Sequence, residues 1–124
     1  MSKQYLEFSV ITLYASDIQV SVNWFRKVLG FQVLHINGRH AEMKVGPGVT
    51  FHLSTNETAD RRLDLITKYS TELREQLKVN HIEIEDEDDN HWFAFRDPDN
   101  NWITAWAGGF GMEKMEIQER EGVS

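Results

Sequence analysis

The chain contains no cysteine, so it has no disulfide framework, no thiolate nucleophile and no thiolate metal centre. Proline is almost as scarce: Pro47 and Pro98 are the only two, and each falls in a cluster of turn-forming residues. No apolar run approaches the roughly 20 residues that cross a bilayer. None long enough for the core of a signal peptide follows Met1-Ser2-Lys3-Gln4-Tyr5. Positive charge is the scarcer sign, with 13 Lys and Arg against 20 Asp and Glu and a formal net charge of −7. A nucleic-acid or polyphosphate partner would need a basic stripe. An acidic balance instead suits a solvated surface and tolerates a cationic ligand. The expectations are a cytoplasmic protein with no nucleic-acid partner and no membrane contact.

What is present is a patterned sequence of 124 residues, 40% hydrophobic, enough to bury about two thirds of its unfolded surface as one domain. Leu6 to Tyr14 alternates as a strand does. Ser16 with Gln19 fits a capping box, and Asp17 adds an anion at the start of a helix. Ile18, Val22, Phe25 and Leu29 recur at helical spacing, and Gly30 follows as a stop. Short strands are expected over Phe31–Ile36, Arg39–Val45 and Thr50–Ser54. Asn37-Gly38 would join the first two as a type I′ hairpin, and Gly46-Pro47-Gly48 separates the second from the third.

The same order returns after Thr55–Asp60. Arg62–Thr67 reads as a strand, and Tyr69, Leu73 and Leu77 line a shorter helix opening near Ser70. Ile82–Glu85, His91–Arg96 and Trp102–Ala107 supply three more strands. Asp97-Pro98-Asp99-Asn100 is strong turn chemistry between the last two. Phe25-Arg26-Lys27-Val28-Leu29 even aligns with Leu73-Arg74-Glu75-Gln76-Leu77. The fold class is therefore α+β, built as two tandem βαβββ modules over residues 6–54 and 62–107 within a single domain, 1–107. The tail, 108–124, carries Met112, Met115 and Ile117. It reads either as a short helix on the surface or on a partner chain, or as a frayed end.

Two segments, Asn23-Trp24-Phe25-Arg26-Lys27-Val28-Leu29-Gly30-Phe31 and Arg96 through Trp106, together resemble the vicinal-oxygen-chelate superfamily. That superfamily includes glyoxalase I, fosfomycin-resistance proteins, extradiol dioxygenases and bleomycin-resistance proteins, and the likeness runs from about Phe8 to Ala107. It implies a cupped, incomplete barrel with a small-molecule site on its concave side, and a homodimer. It also implies metal ligands on the first and fourth strands of each module. Those positions fall here on Val10, His52, Arg62 and Thr104. Only His52 is a good ligand, Arg62 is a permanent cation, and a divalent ion needs three or more protein donors. The resemblance therefore points to the metal-free, bleomycin-resistance-like branch, with no cofactor. The alternative is a lyase, isomerase or dioxygenase holding one divalent metal ion in a rearranged site that includes His52, with Glu83 or a partner-chain residue.

Strand parity tells which neighbours share the concave face. With Thr104 go Trp102 and Trp106, leaving Ile103 and Ala105 to the helix side. With His52 go Thr50 and Ser54, and with Val10 go Phe8, Thr12 and Tyr14. Trp92 and Arg96 lie opposite Phe93 and Phe95. The candidate binding residues are thus His52, Trp102, Thr104, Trp106, Trp92, Arg62, Tyr14 and Thr12. Aromatic walls with a few polar groups suit a planar or cationic ligand, although tryptophans also serve as core or dimer contacts. A third reading is a protein that acts only through protein contacts.

Other constellations carry less. His81-x-Glu83-x-Glu85 and His40-x-Glu42 read as charged guards on edge strands. Glu85 to Asn90 reads as an acidic hairpin loop without the glycine turn of a calcium site. Gly46-Pro47-Gly48 lacks the helix start and lysine of a phosphate cradle.

Overall fold

The structure is a computed structural model that describes residues 10–89 and 91–108. Phe8 and the tail residues Met112, Met115 and Ile117 lie outside the described residues. The chain groups into two compact units, 1–60 and 61–124, and each carries the expected βαβββ order.

The first unit runs β1 (Thr12–Tyr14), α1 (Ile18–Leu29), β2 (Gln32–Ile36), β3 (His40–Gly46) and β4 (Val49–Ser54). Its sheet order is β1-β4-β3-β2, with β1 parallel to β4 and the other pairs antiparallel. The alternation of apolar residues determines which side is buried. Leu13, Ala41, Met43, Phe51 and Leu53 pack with Ile18, Val22, Phe25 and Val28 of α1. The Phe25 ring stacks on Phe31 and meets Phe51 edge-on. Asp17, not Ser16, is the N-cap of α1: its carboxylate accepts the Val20 N–H at 3.2 Å. Gly30 closes the helix at φ 72°. A Cβ there would meet nothing within 4 Å, so Gly30→Ala is charged only the left-handed backbone penalty, about 1 kcal/mol. A small fall in urea midpoint at unchanged slope is the expected result.

The β2–β3 connection also differs from the expected type I′ turn, which requires positive φ at both central residues. Gly38 and Asn37 do not have it. The loop spans residues 37–39, with the Asn37 side chain accepting the Arg39 N–H at 2.9 Å and the Asn37 N–H donating to His40 O at 2.8 Å.

The second unit runs β5 (Arg62–Thr67), α2 (Ser70–Val79), β6 (Asp86–Asp88), β7 (Trp92–Arg96) and β8 (Trp102–Ala107). Its order, β5-β8-β7-β6, repeats that of the first. Leu63, Phe93, Phe95, Ile103 and Ala105 are buried, as strand parity requires, together with Leu77 of α2. One strand is displaced from its expected place. Residues 82–85 form no strand, and the acidic Asp86–Asp88 pairs with β7 instead. His81 adopts φ 59°, so it and Glu83 do not share a strand face with Glu85.

Candidate functional site

In the second unit, the face opposite the helix is ordered in rows. Asp86, Ala94, Thr104 and Asp64 lie side by side across β6, β7, β8 and β5. On one side of that row stand Trp92 and Trp106, paired across β7 and β8, and on the other stand Arg96, Trp102 and Arg62. Ala94 and Thr104 are small and buried, so the middle row is low and the tryptophan rows are tall. The result is a cavity of about 410 Å³ lined by Arg62, Asp86, Trp92, Ala94, Trp102, Thr104 and Trp106. The rings of Trp92 and Trp106 are 6.2 Å apart at 47°, a tilted pair with apolar faces of the kind that holds planar ligands.

The polar groups around these rings are organised by Asp64. It accepts from Arg62 Nε at 3.1 Å and Nη2 at 3.1 Å, and its Oδ1 accepts the indole N–H of Trp106 at 3.2 Å. The pair neutralises Arg62 and fixes the plane of Trp106. Arg96 lies with its guanidinium carbon 3.4 Å from the centre of the Trp102 ring and donates to Asn100 O at 2.8 Å. One face of Trp102 therefore already holds a cation. Asp86 is the carboxylate of the lining, and its Oδ1 accepts the Glu87 N–H at 2.9 Å.

In the first unit, the equivalent face carries a different chemistry. Thr12, His52, Glu42 and His35 form a row across β1, β4, β3 and β2, and Tyr14, Ser54 and His40 form the next. His40 Nε2 lies 2.6 Å from His52 Nδ1, and His52 Nε2 lies 3.5 Å from Glu42 Oε2. β3 is an interior strand between β4 and β2, so His40 and Glu42 are not edge guards. Burial holds the His40 pKa below the usual histidine value, and His52 and His35 push the same way while Glu42 opposes them.

The sequence-predicted residues therefore fall into two sets. Trp92, Trp102, Thr104, Trp106 and Arg62 meet around one cavity, and Thr12, Tyr14 and His52 share the face of the other sheet. Asp64, Asp86, Ala94, His40 and Glu42 were missed. Parity with Arg62 gives Asp64 directly, whereas Asp86 was hidden by the misplaced strand.

The family model described as Glyoxalase/Bleomycin resistance protein/Dioxygenase superfamily matches residues 7–104. The chain belongs to that superfamily. No curated protein sequence matches it. Among solved structures, the trypanothione-dependent glyoxalase I of Leishmania major is 18% identical with a TM-score of 0.72, over 99% of this chain and 100% of that one. The fosfomycin resistance protein FosX of Listeria monocytogenes, solved with Mn(II) and sulfate, is 15% identical with a TM-score of 0.67, over 86% and 94%. The bleomycin resistance determinant encoded on transposon Tn5 is 13% identical with a TM-score of 0.64, over 83% and 98%. These likenesses establish the shared fold.

Membership in the superfamily raises the question of a metal, and the residues at the implied positions do not fit one. Val10 is an exposed apolar side chain. Arg62 is a guanidinium locked on Asp64, and Thr104 is buried on the cavity floor. His52 has one ring nitrogen against His40 and the other toward Glu42. Among the described residues, no three of His, Asp and Glu are grouped to hold one ion. None of their helices is long and apolar enough to cross a membrane.

Proposed function

We propose that this protein binds a planar aromatic or cationic small molecule without a metal ion, stacking it between the tryptophans of the second sheet. The observation that carries the reading is the low row of Ala94 and Thr104 between Trp102 on one side and Trp92 with Trp106 on the other. Ring faces bind flat or cationic groups by dispersion and by the quadrupole of the indole. Arg96 on Trp102 supports this, because the protein's own guanidinium already uses such a face. Asp86 and the net charge of −7 favour a positively charged ligand over an anion. Thr104 and Arg62 supply polar contacts at the cavity, and His52, Thr12 and Tyr14 a second polar surface on the first sheet. The protein acts as a cytoplasmic homodimer, and sedimentation equilibrium at twice the chain mass is the expected result.

Metal analysis of the purified protein tests the metal-free half of this reading. No ion near one per chain is expected, and no stabilisation by Mn, Ni, Zn or Fe(II) relative to EDTA. A tightly held ion would raise Tm by roughly 5 °C or more, and that result would replace this reading with metal-dependent lyase, isomerase or dioxygenase chemistry.

A further inference from the structure

The polar side chains around the cavity of the second unit are committed to different degrees. Asp64 is spent on two neighbours: it accepts from Arg62 Nε and Nη2, and its Oδ1 also accepts the Trp106 indole N–H. Asp86 is engaged through one oxygen, its Oδ1 taking the Glu87 N–H, which leaves Oδ2 to meet a ligand at the lining. Arg62 is engaged through Nε and Nη2, which leaves Nη1 as a donor at the same lining. Its side chain is 62% exposed, so a ligand reaches it without rearrangement. Asp86 lies on β6 and Arg62 on β5, with β7 and β8 between them. Three strand spacings in that order put their backbones about 14 Å apart.

Resting on the reading that this cavity stacks a planar ligand, we propose that the ligand is polar at both ends, with a cation at Asp86 and a neutral carbonyl or amide oxygen at Arg62 Nη1. Its flat body lies over Ala94 and Thr104, against the tryptophans. A two-ring body with a charge at one end and a carbonyl at the other bridges the span once a contact to each side chain is added. Charge separates a neutral acceptor from an anionic one. Both oxygens of Asp64 lie within 3.3 Å of Arg62 Nε, so the guanidinium is already matched, and a ligand carboxylate would meet Asp64 as well. A carbonyl takes the Nη1 hydrogen without that repulsion. At the other end, the Asp86 carboxylate stands with indole faces that themselves attract cations. Arg62 and Asp86 thus determine specificity, choosing among flat molecules that the tryptophans alone would hold alike.

Equilibrium dialysis of the full chain in EDTA tests this with N-methylquinolinium and two derivatives, a carboxamide and a carboxylate on the ring remote from the nitrogen. The wild type should bind the carboxamide about fivefold more tightly than the parent cation, and the carboxylate no more tightly than the parent. Arg62→Met, which keeps an unbranched stem, should bring the carboxamide and the parent to equal affinity. Asp86→Asn should weaken both cations about threefold and leave neutral quinoline carboxamide unchanged. The wild-type order carries the test even if a variant fails to fold. A carboxamide held no more tightly than the parent, a carboxylate preferred to the carboxamide, or a preference that survives Arg62→Met would overturn the inference while leaving stacking intact. Failure of all the compounds to bind would overturn the stacking reading itself, and this inference with it.

Discussion

Trp106→Ala is expected to weaken binding of a planar organic cation such as proflavine by about 10- to 100-fold. The indole is the side chain most completely specified at the cavity. It faces Trp92 at 6.2 Å, and its N–H is pinned to Asp64 Oδ1. Losing the ring removes a stacking contact and apolar burial worth together roughly 1.5–3 kcal/mol, which is that range of affinity. Trp102→Ala should have an effect of the same direction, reduced because Arg96 covers one of its faces. Trp24→Phe is the control. Trp24 sits on α1 against Phe25 and is not one of the residues that line the cavity, and its replacement should leave affinity unchanged. Equilibrium dialysis of the variants decides the matter, with unchanged affinity in both alanine variants counting against stacking.

Asp97→Ala carries the largest expected loss of stability, because one carboxylate organises the turn that sets β7 against β8. Its Oδ1 accepts the N–H groups of Asp99 and Asn101, each at 2.9 Å, and its Oδ2 accepts Asn101 Nδ2 at 2.9 Å. Asn101 is fully buried and Asp97 nearly so, so water does not replace these bonds. Asn100 completes the turn at φ 61°, a conformation that asparagine tolerates. Stranding the buried donors should cost about 3 kcal/mol and lower Tm by roughly 10 °C, as read by calorimetry. Burial raises the Asp97 pKa above the ordinary carboxylate value, against the opposing hydrogen bonds from Asn101 and Asp99. An acid whose folded pKa is raised contributes stability that is full below its unfolded value and lost as pH rises through the folded one. Asp97→Asn should therefore gain relative to the wild type as pH rises above about 4. A difference that is flat with pH would show that the carboxyl is not shifted.

The Asp97 turn and the tryptophan rows are not equally legible in the sequence. The turn was readable because Asp, Pro and Asn have local backbone chemistry that needs no tertiary partner. The faces of β4, β7 and β8 were readable because Phe51, Leu53, Phe93, Phe95 and Ile103 alternate with polar or indole side chains, and one face is buried. The Asp86–Asp88 strand was not. Three consecutive acids have poor strand propensity, and the segment is extended because the β7 ladder holds it. That displacement hid Asp86 from the candidate site. The His40–His52–Glu42 chain was hidden for a different reason: an edge strand and an interior strand share one alternating pattern, and only pairing tells them apart. The Arg96–Trp102 contact depends on side-chain direction, which a strand pattern does not encode.

A metal-free stacking site on the second sheet can be read by fluorescence titration in EDTA. Trp24→Phe protein retains Trp92, Trp102 and Trp106 as its only indoles, so all of its tryptophan emission comes from the proposed site. Titration with planar cationic and neutral heteroaromatics should give saturable quenching at one ligand per chain, strongest for the cations. No saturable quenching by any of them, or quenching that appears only after Mn, Ni, Zn or Fe(II) is added, would contradict it.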